Sequence, residues 1–174
     1  MGTMVVGRVR QTLQATFAWV LPLDEHKAKG YLTEAEFCLF QTLRRSERQH
    51  HLRVLDKLLK QGHDHPALIT AALLHDVGKT RARFTIVERV VAVLVKKFLP
   101  RQFETWSSGE AQGWRQPFVM SAQHPAWGAE MVAAAGGDAM AVELIRQHQT
   151  RLDHPPQNEF EKLLIALQAS DDVS

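Results

Sequence analysis

The chain has 174 residues, 45% of them hydrophobic and 23% charged, with a formal net charge of +2 and a pI near 8.9. That suffices for one domain with a sizeable core, and the mild basicity excludes the dense cationic stripe of a dedicated nucleic-acid binder. A single cysteine, Cys38, excludes an intrachain disulfide framework, and arginines inside "MGTMVVGRVRQTLQATFAWVLPL" fit neither a signal peptide nor a membrane span, so the expected setting is cytoplasmic.

The pattern predicts an all-α protein, a compact helical bundle, because no strict apolar–polar alternation is long enough for a strand. A first amphipathic stretch covers residues 8–20 and stops near Pro22. Residues 1–32 are expected as an N-terminal helical extension of a domain spanning 33–174. Thr33 caps "TEAEF", whose glutamates suit a first helical turn. Cys38, inside "EFCLF", is expected to be a buried thiol. This segment either runs through to Gly62 or restarts at Ser46. Asp64 and Pro66 open the next helix, to about residue 76, with Gly78 closing it. A valine-rich helix over 84–98 ends before Pro100, and "SSGEAQGWRQP" at 107–117 reads as a loop. Pro125 is expected to start a helix that paired glycines stop. Asp138 caps another as far as Gln149, and the last runs from Asn158 to Asp171.

Six ligand-type side chains sit at helix ends or on helical stripes: His50, His75, Asp76, His124, His148 and Asp171. Two are adjacent at the end of "ALITAALLHDVGK", an apolar run that gives no reason to bury a histidine and an aspartate unless something satisfies them. Imidazole plus carboxylate suits Mn, Fe, Ni, Co or Zn, and six groups exceed what one tetrahedral ion needs. Two divalent ions sharing Asp76 would account for them. His50 and His51 point about 100° apart on a helix, so one of the pair is expected to face inward, and periodicity alone leaves open which. Lys79, at the start of "KTRAR", reads as a phosphate contact and Arg83 as part of a solvated face. Trp127, three residues beyond His124, is the best candidate for a pocket wall, whereas Trp106 and Trp114 read as core or loop anchors. His26, His63, His65 and His154 sit among polar or turn residues and read as surface groups.

The chain resembles the HD-domain superfamily of metal-dependent phosphohydrolases. The match rests on "HHLRV" at 50–54, "AALLHDVGK" at 71–79 and the closing "ASDD" at 169–172. The resemblance implies an all-α bundle, with His50, His75, Asp76 and Asp171 as the four-residue ligand set. It selects His50 over His51, leaving His51 solvated or outside the coordination sphere, and Asp171 over Asp172. "HPAWGAEMV" and "IRQHQ" are similar to the two-metal branch and imply that Asp76, His124 and His148 hold a second ion.

From that follows an expected activity: hydrolysis of a nucleotide or related phosphomonoester or diester by a water activated at divalent ions (Mn, Fe, Ni, Co, Zn or Mg). Asp76 and Lys79 are the expected catalytic residues, and Lys79, Arg81 and Trp127 the expected substrate contacts. The expected partner is a small anionic substrate, with no membrane insertion and no nucleic acid. The alternative is a metal- or nucleotide-binding regulatory module without turnover. Unlike the HD-GYP cyclic-dinucleotide phosphodiesterases, the chain has Gln149 after His148 and no Gly-Tyr-Pro, which argues against that substrate.

Overall fold

The structure, a computed structural model, describes residues 23–82 and 85–173. The amphipathic stretch at 8–20 and Arg83 lie outside the described residues. Nine α-helices occur among the described residues: α1 (Glu25–Lys29), α2 (Glu34–Thr42), α3 (Arg45–Lys60), α4 (Pro66–Leu74), α5 (Ile86–Phe98), α6 (Pro100–Ser107), α7 (Gln116–Ala134), α8 (Ala139–Gln147) and α9 (Glu159–Asp171). Short 3₁₀ turns lie at Val77–Arg81 and Gly113–Arg115, and no strand occurs among the described residues. The all-α expectation holds.

Helix α4 is the axis of the fold. Every residue from Ala67 to Leu74 is at most 8% exposed. A helix apolar on all sides has no face to offer water, and α3, α8 and α9 enclose this one. Each leucine so buried contributes roughly 1.5–3 kcal/mol. Ala28 and Leu32, which precede the domain start expected at residue 33, are buried in the same core. A smaller cluster of Ala92, Phe103 and Phe118, with Trp106 against it, joins α5, α6 and α7. Trp106 lies 5.4 Å from Trp114, ring centre to ring centre, and 5.2 Å from Phe118. Trp106 is an anchor there, whereas Trp114 packs its edge against it and stays 64% exposed. No helix among the described residues is long and apolar enough to cross a membrane.

Local capping explains most boundaries. The Thr33 hydroxyl and the Glu36 carboxylate exchange hydrogen bonds with each other's backbone N–H, forming a capping box. The next helix restarts at Arg45, not Ser46, because the Glu47 carboxylate accepts the Arg44 N–H at 3.1 Å. Asp138 caps α8 as expected, and Asn158, expected to begin the last helix, caps α9. Cys38 is exposed rather than buried, since α2 turns Glu36 and Phe40 inward and position 38 falls on the opposite side.

Three expectations fail for identifiable reasons. Helix α4 ends at Leu74, short of the expected end near residue 76, with His65 rather than Asp64 at its N-cap, and a 3₁₀ turn follows over Val77–Arg81. Pro100 starts α6, so the loop expected over 107–117 shrinks to 108–112 before the second 3₁₀ turn. Pro125 starts nothing: α7 runs straight through it. A proline inside a helix removes one N–H and leaves the carbonyl four residues earlier, Ser121, without its bond. Here Pro125 is buried, and the 3₁₀ turn and α8 hold α7 in place.

That grip depends on a glycine pair. A methyl group on Gly78 would collide with the His124 carbonyl oxygen and lie 2.6 Å from the Gly128 nitrogen, while one on Gly128 would lie 3.2 Å from the Gly78 nitrogen. Replacing Gly78→Ala is therefore expected to lower unfolding free energy by about 1–3 kcal/mol or more, the cost of overpacking against backbone that cannot retreat. Urea denaturation measures it, and a loss below about 0.5 kcal/mol would show that the contact is slack.

Candidate metal centre

His75 ends the buried helix α4 as its C-cap, and Asp76 begins the turn that follows. His50 and His51 come from the second turn of α3, His124 from the middle of α7, His148 from the C-cap of α8, and Asp171 from the last residue of α9. The fold brings all six residues singled out in the sequence to one place. Ligand atoms of His50, His51 and His75 lie within 4.8 Å of one another, as do those of Asp76, His124 and His148.

Asp76 stands between the two groups and divides its oxygens. Oδ2 faces His51 Nε2 at 4.0 Å and His75 Nε2 at 3.8 Å. Oδ1 faces His124 Nε2 at 3.3 Å and His148 Nε2 at 3.8 Å. Asp171 Oδ1 lies 2.8 Å from His50 Nε2 and 3.6 Å from His75 Nε2. Asp172 turns away to pair with Arg151 at 2.8 Å.

Four of the five imidazoles share one arrangement. Nδ1 of His51 lies 2.7 Å from the Leu73 carbonyl oxygen, and Nδ1 of His75 lies 3.2 Å from that of Ala72. The corresponding distances are 3.0 Å from His124 to Met120 and 2.8 Å from His148 to Ile145. A carbonyl only accepts, so each Nδ1 carries a proton and each Nε2 faces Asp76, with a lone pair wherever the ring is neutral. This is the orientation in which histidines meet metal ions. The Nε2 atoms of His51 and His75 are buried and have no hydrogen-bond partner. Unpaired buried lone pairs beside ionised carboxylates are what a divalent cation satisfies, so the residues fit such an ion.

Three of the four rings are pushed toward the neutral form, and the fourth, His75, toward the charged one. Burial, then the neighbouring His75, pushes His51 down to about 4. Burial and the same neighbour push His148 down to about 3, and burial also lowers His124. Burial alone would raise Asp76, but the Lys79 ammonium and His75 hold it well below the usual carboxylate range. Burial likewise opposes ionisation of Asp171, and His75 and His50 outweigh it. His75 is raised, because Asp76 and Asp171 overcome the cost of burying its charge.

The expected substrate contacts take up different positions. The Lys79 ammonium pairs with Asp76 Oδ2. The Arg81 guanidinium sits 5.6 Å from the centre of the Trp127 ring and pairs with Glu130 at 2.9 Å, so Arg81 and Trp127 are engaged with each other. Two residues escaped the sequence reading. His51, expected to be solvated or outside the coordination sphere, is 0% exposed and faces Asp76 at 4.0 Å. It shares a buried stripe with Leu55 and Leu58, but His50 shares one with Val54, which is equally buried, so the pattern does not choose between them. Gln149 sets its Nε2 3.2 Å from His124 Nε2, and nothing in its sequence context marks it.

Compared with models of known families, residues 48–174 match the HD domain, well over half of the chain. No curated protein and no solved structure matches.

The buried histidines set a pH dependence for the metal-free protein. A histidine lowered in the fold stays neutral there and takes up a proton on unfolding, so its stability is full above about pH 6.5 and is lost as pH falls toward its folded value. His51, His124 and His148 act in this sense, and His75 opposes them. Net, chelator-treated protein is expected to lose stability between about pH 6.5 and pH 4 with a slope on the order of 1.4 kcal/mol per pH unit per uncompensated histidine. Below about pH 4 the depressed carboxylates of Asp76 and Asp171 add to the loss. Urea unfolding across this range measures the slope, and constant stability from pH 7 to 4 would contradict the assignment.

Proposed function

Because the chain belongs to the HD-domain family, we propose that it is a metal-dependent phosphohydrolase acting on a small anionic phosphate ester, a nucleotide or related phosphomonoester or diester. The observation that carries this reading is the split carboxylate of Asp76, with one oxygen turned to each group of imidazole lone pairs. In this reading His50, His75, Asp76 and Asp171 hold one divalent ion, and Asp76, His124 and His148 hold another. Neutral imidazoles and ionised carboxylates suit Mn, Fe, Co, Ni or Zn. Bound ions of this kind acidify water and neutralise charge on phosphoryl oxygens.

The chain's own residues supply the rest. Asp76 orients the two groups of donors about a common point, and the buried walls keep bulk water from competing for them. Lys79, on a flexible four-carbon stem, carries its ammonium from Asp76 to a substrate phosphate. The Arg81–Trp127 stack offers a flat wall and a second cation on the same turn. The setting proposed is cytoplasmic and the partner a small molecule rather than nucleic acid.

A panel of aryl phosphates, aryl phosphodiesters and nucleotides, assayed with each of these metals, tests the proposal. Turnover is expected with at least one metal and is abolished by chelation. Asp76→Ala is expected to lower kcat about 10³-fold or more, and Lys79→Ala to lower kcat/KM about 10–100-fold with metal content unchanged. Equal activity of Asp76→Ala would refute the reading. Metal and nucleotide binding without turnover across the panel would instead favour a regulatory module.

A further inference from the structure

Beyond the residues that the sequence motif marks, His51 has the geometry of a ligand. It is 0% exposed, so water does not satisfy it. Its Nδ1 is fixed by the Leu73 carbonyl at 2.7 Å, which leaves the lone pair on Nε2. That Nε2 has no hydrogen-bond partner and lies 4.0 Å from Asp76 Oδ2, while its ring centre is 4.4 Å from that of His75. His50 differs in every respect. Its side chain is 14% exposed, its Nε2 lies 2.8 Å from Asp171 Oδ1, and its Nδ1 has no partner. An ionised carboxylate only accepts, so in the metal-free chain the His50 proton sits on Nε2 and has to move to Nδ1 before that atom can ligate, a rearrangement His51 does not need.

We infer that His51 binds a metal ion directly through Nε2, on the side of the cluster formed by His75 and Asp76. The inference rests on the metal-site reading above but concerns a residue outside the motif's ligand set. A purely structural histidine would place both nitrogens against protein groups, because a buried polar atom without a partner is costly. This one is held at one end and left unpaired at the other, toward an ionised carboxylate. An added imidazole also makes that ion's surroundings softer, favouring Fe, Co, Ni or Zn over Mg.

The test uses the full chain loaded with Co(II). His51→Asn keeps an amide donor near the Nδ1 position for the Leu73 carbonyl and deletes the Nε2 donor, whereas His51→Ala deletes both. A direct ligand predicts that both variants lose affinity for one ion by about 100-fold or more, beyond the roughly 10–100-fold range of residues that only orient ligands. It also predicts a changed Co(II) absorption spectrum. A structural role predicts rescue by His51→Asn, with affinity within about threefold of the unaltered chain and the same spectrum, and that result would overturn the inference.

A second readout needs no variant. In the Co(II)-loaded chain, each ligating histidine whose Nδ1–H is held by a carbonyl gives one slowly exchanging, paramagnetically shifted proton resonance. Four are expected, from His51, His75, His124 and His148. Three, with the His51 ring proton found unshifted, would exclude His51 as a ligand, whether or not either variant folds. Failure of the unaltered chain to take up any divalent ion would sink the metal-site reading and this inference together. Uptake of ions with the His51 ring proton unshifted would sink this inference alone.

Discussion

The structure is organised around one buried negative charge. The Asp76 carboxylate sits where α4, the most enclosed helix of the fold, gives way to a tight turn. An isolated carboxylate in such a place would cost several kcal/mol in lost hydration. Lys79 and His75 hold it ionised, and His51, His124 and His148 turn their Nε2 atoms toward it. The bundle thus exchanges an apolar helix end for a polar cavity without an uncompensated charge. What remains uncompensated is the set of nitrogen lone pairs, and their shortage is of positive charge.

Helix direction reinforces that shortage. Three helices, α4, α8 and α9, end at the cluster, in His75, His148 and Asp171. A helix C-terminus carries partial negative charge from its unpaired carbonyls, and here three such ends meet two carboxylates. Asp171 at a helix end would be poorly placed without a cation. The capping histidines serve twice: Nδ1 satisfies a carbonyl of the last turn, which the helix itself cannot, and the same bond points Nε2 at the centre. Helix termination and ligand orientation are therefore one interaction.

This explains what could be read from the sequence. The run "LLHDVGK" was legible because a helix end, a ligand pair and a glycine fall within seven consecutive residues, and the ordered histidines and the final aspartate share recognisable contexts. The course of α7 through Pro125 was not legible, since a proline's local signal says stop and only packing on Gly78 and α8 overrides it. The choice between His50 and His51 lay below the resolution of periodicity. Neighbouring positions differ by about 100°, and a cluster at the side of α3 accepts donors from both. Gln149 reaches His124 from the turn after α8, a contact visible only in three dimensions.

Lys79 connects the resting charge balance to the proposed chemistry. Its ammonium now pairs with Asp76 Oδ2, the oxygen that also faces His51 and His75. A dication sharing that oxygen would stand within a few ångströms of the ammonium, and like charges so close repel by several kcal/mol even at an effective dielectric near 20. Lys79 cannot then stay where it is. Its backbone is fixed in the turn that Gly78 presses against α7, so only its stem is free to move, and the ammonium's alternatives are solvent or an anion over the cluster. Loading the site with cations thus frees a positive charge one turn away, with a substrate phosphate as its natural partner. A buried carboxylate that holds a lysine in one state and ions in the other would couple metal binding to readiness for an anionic substrate.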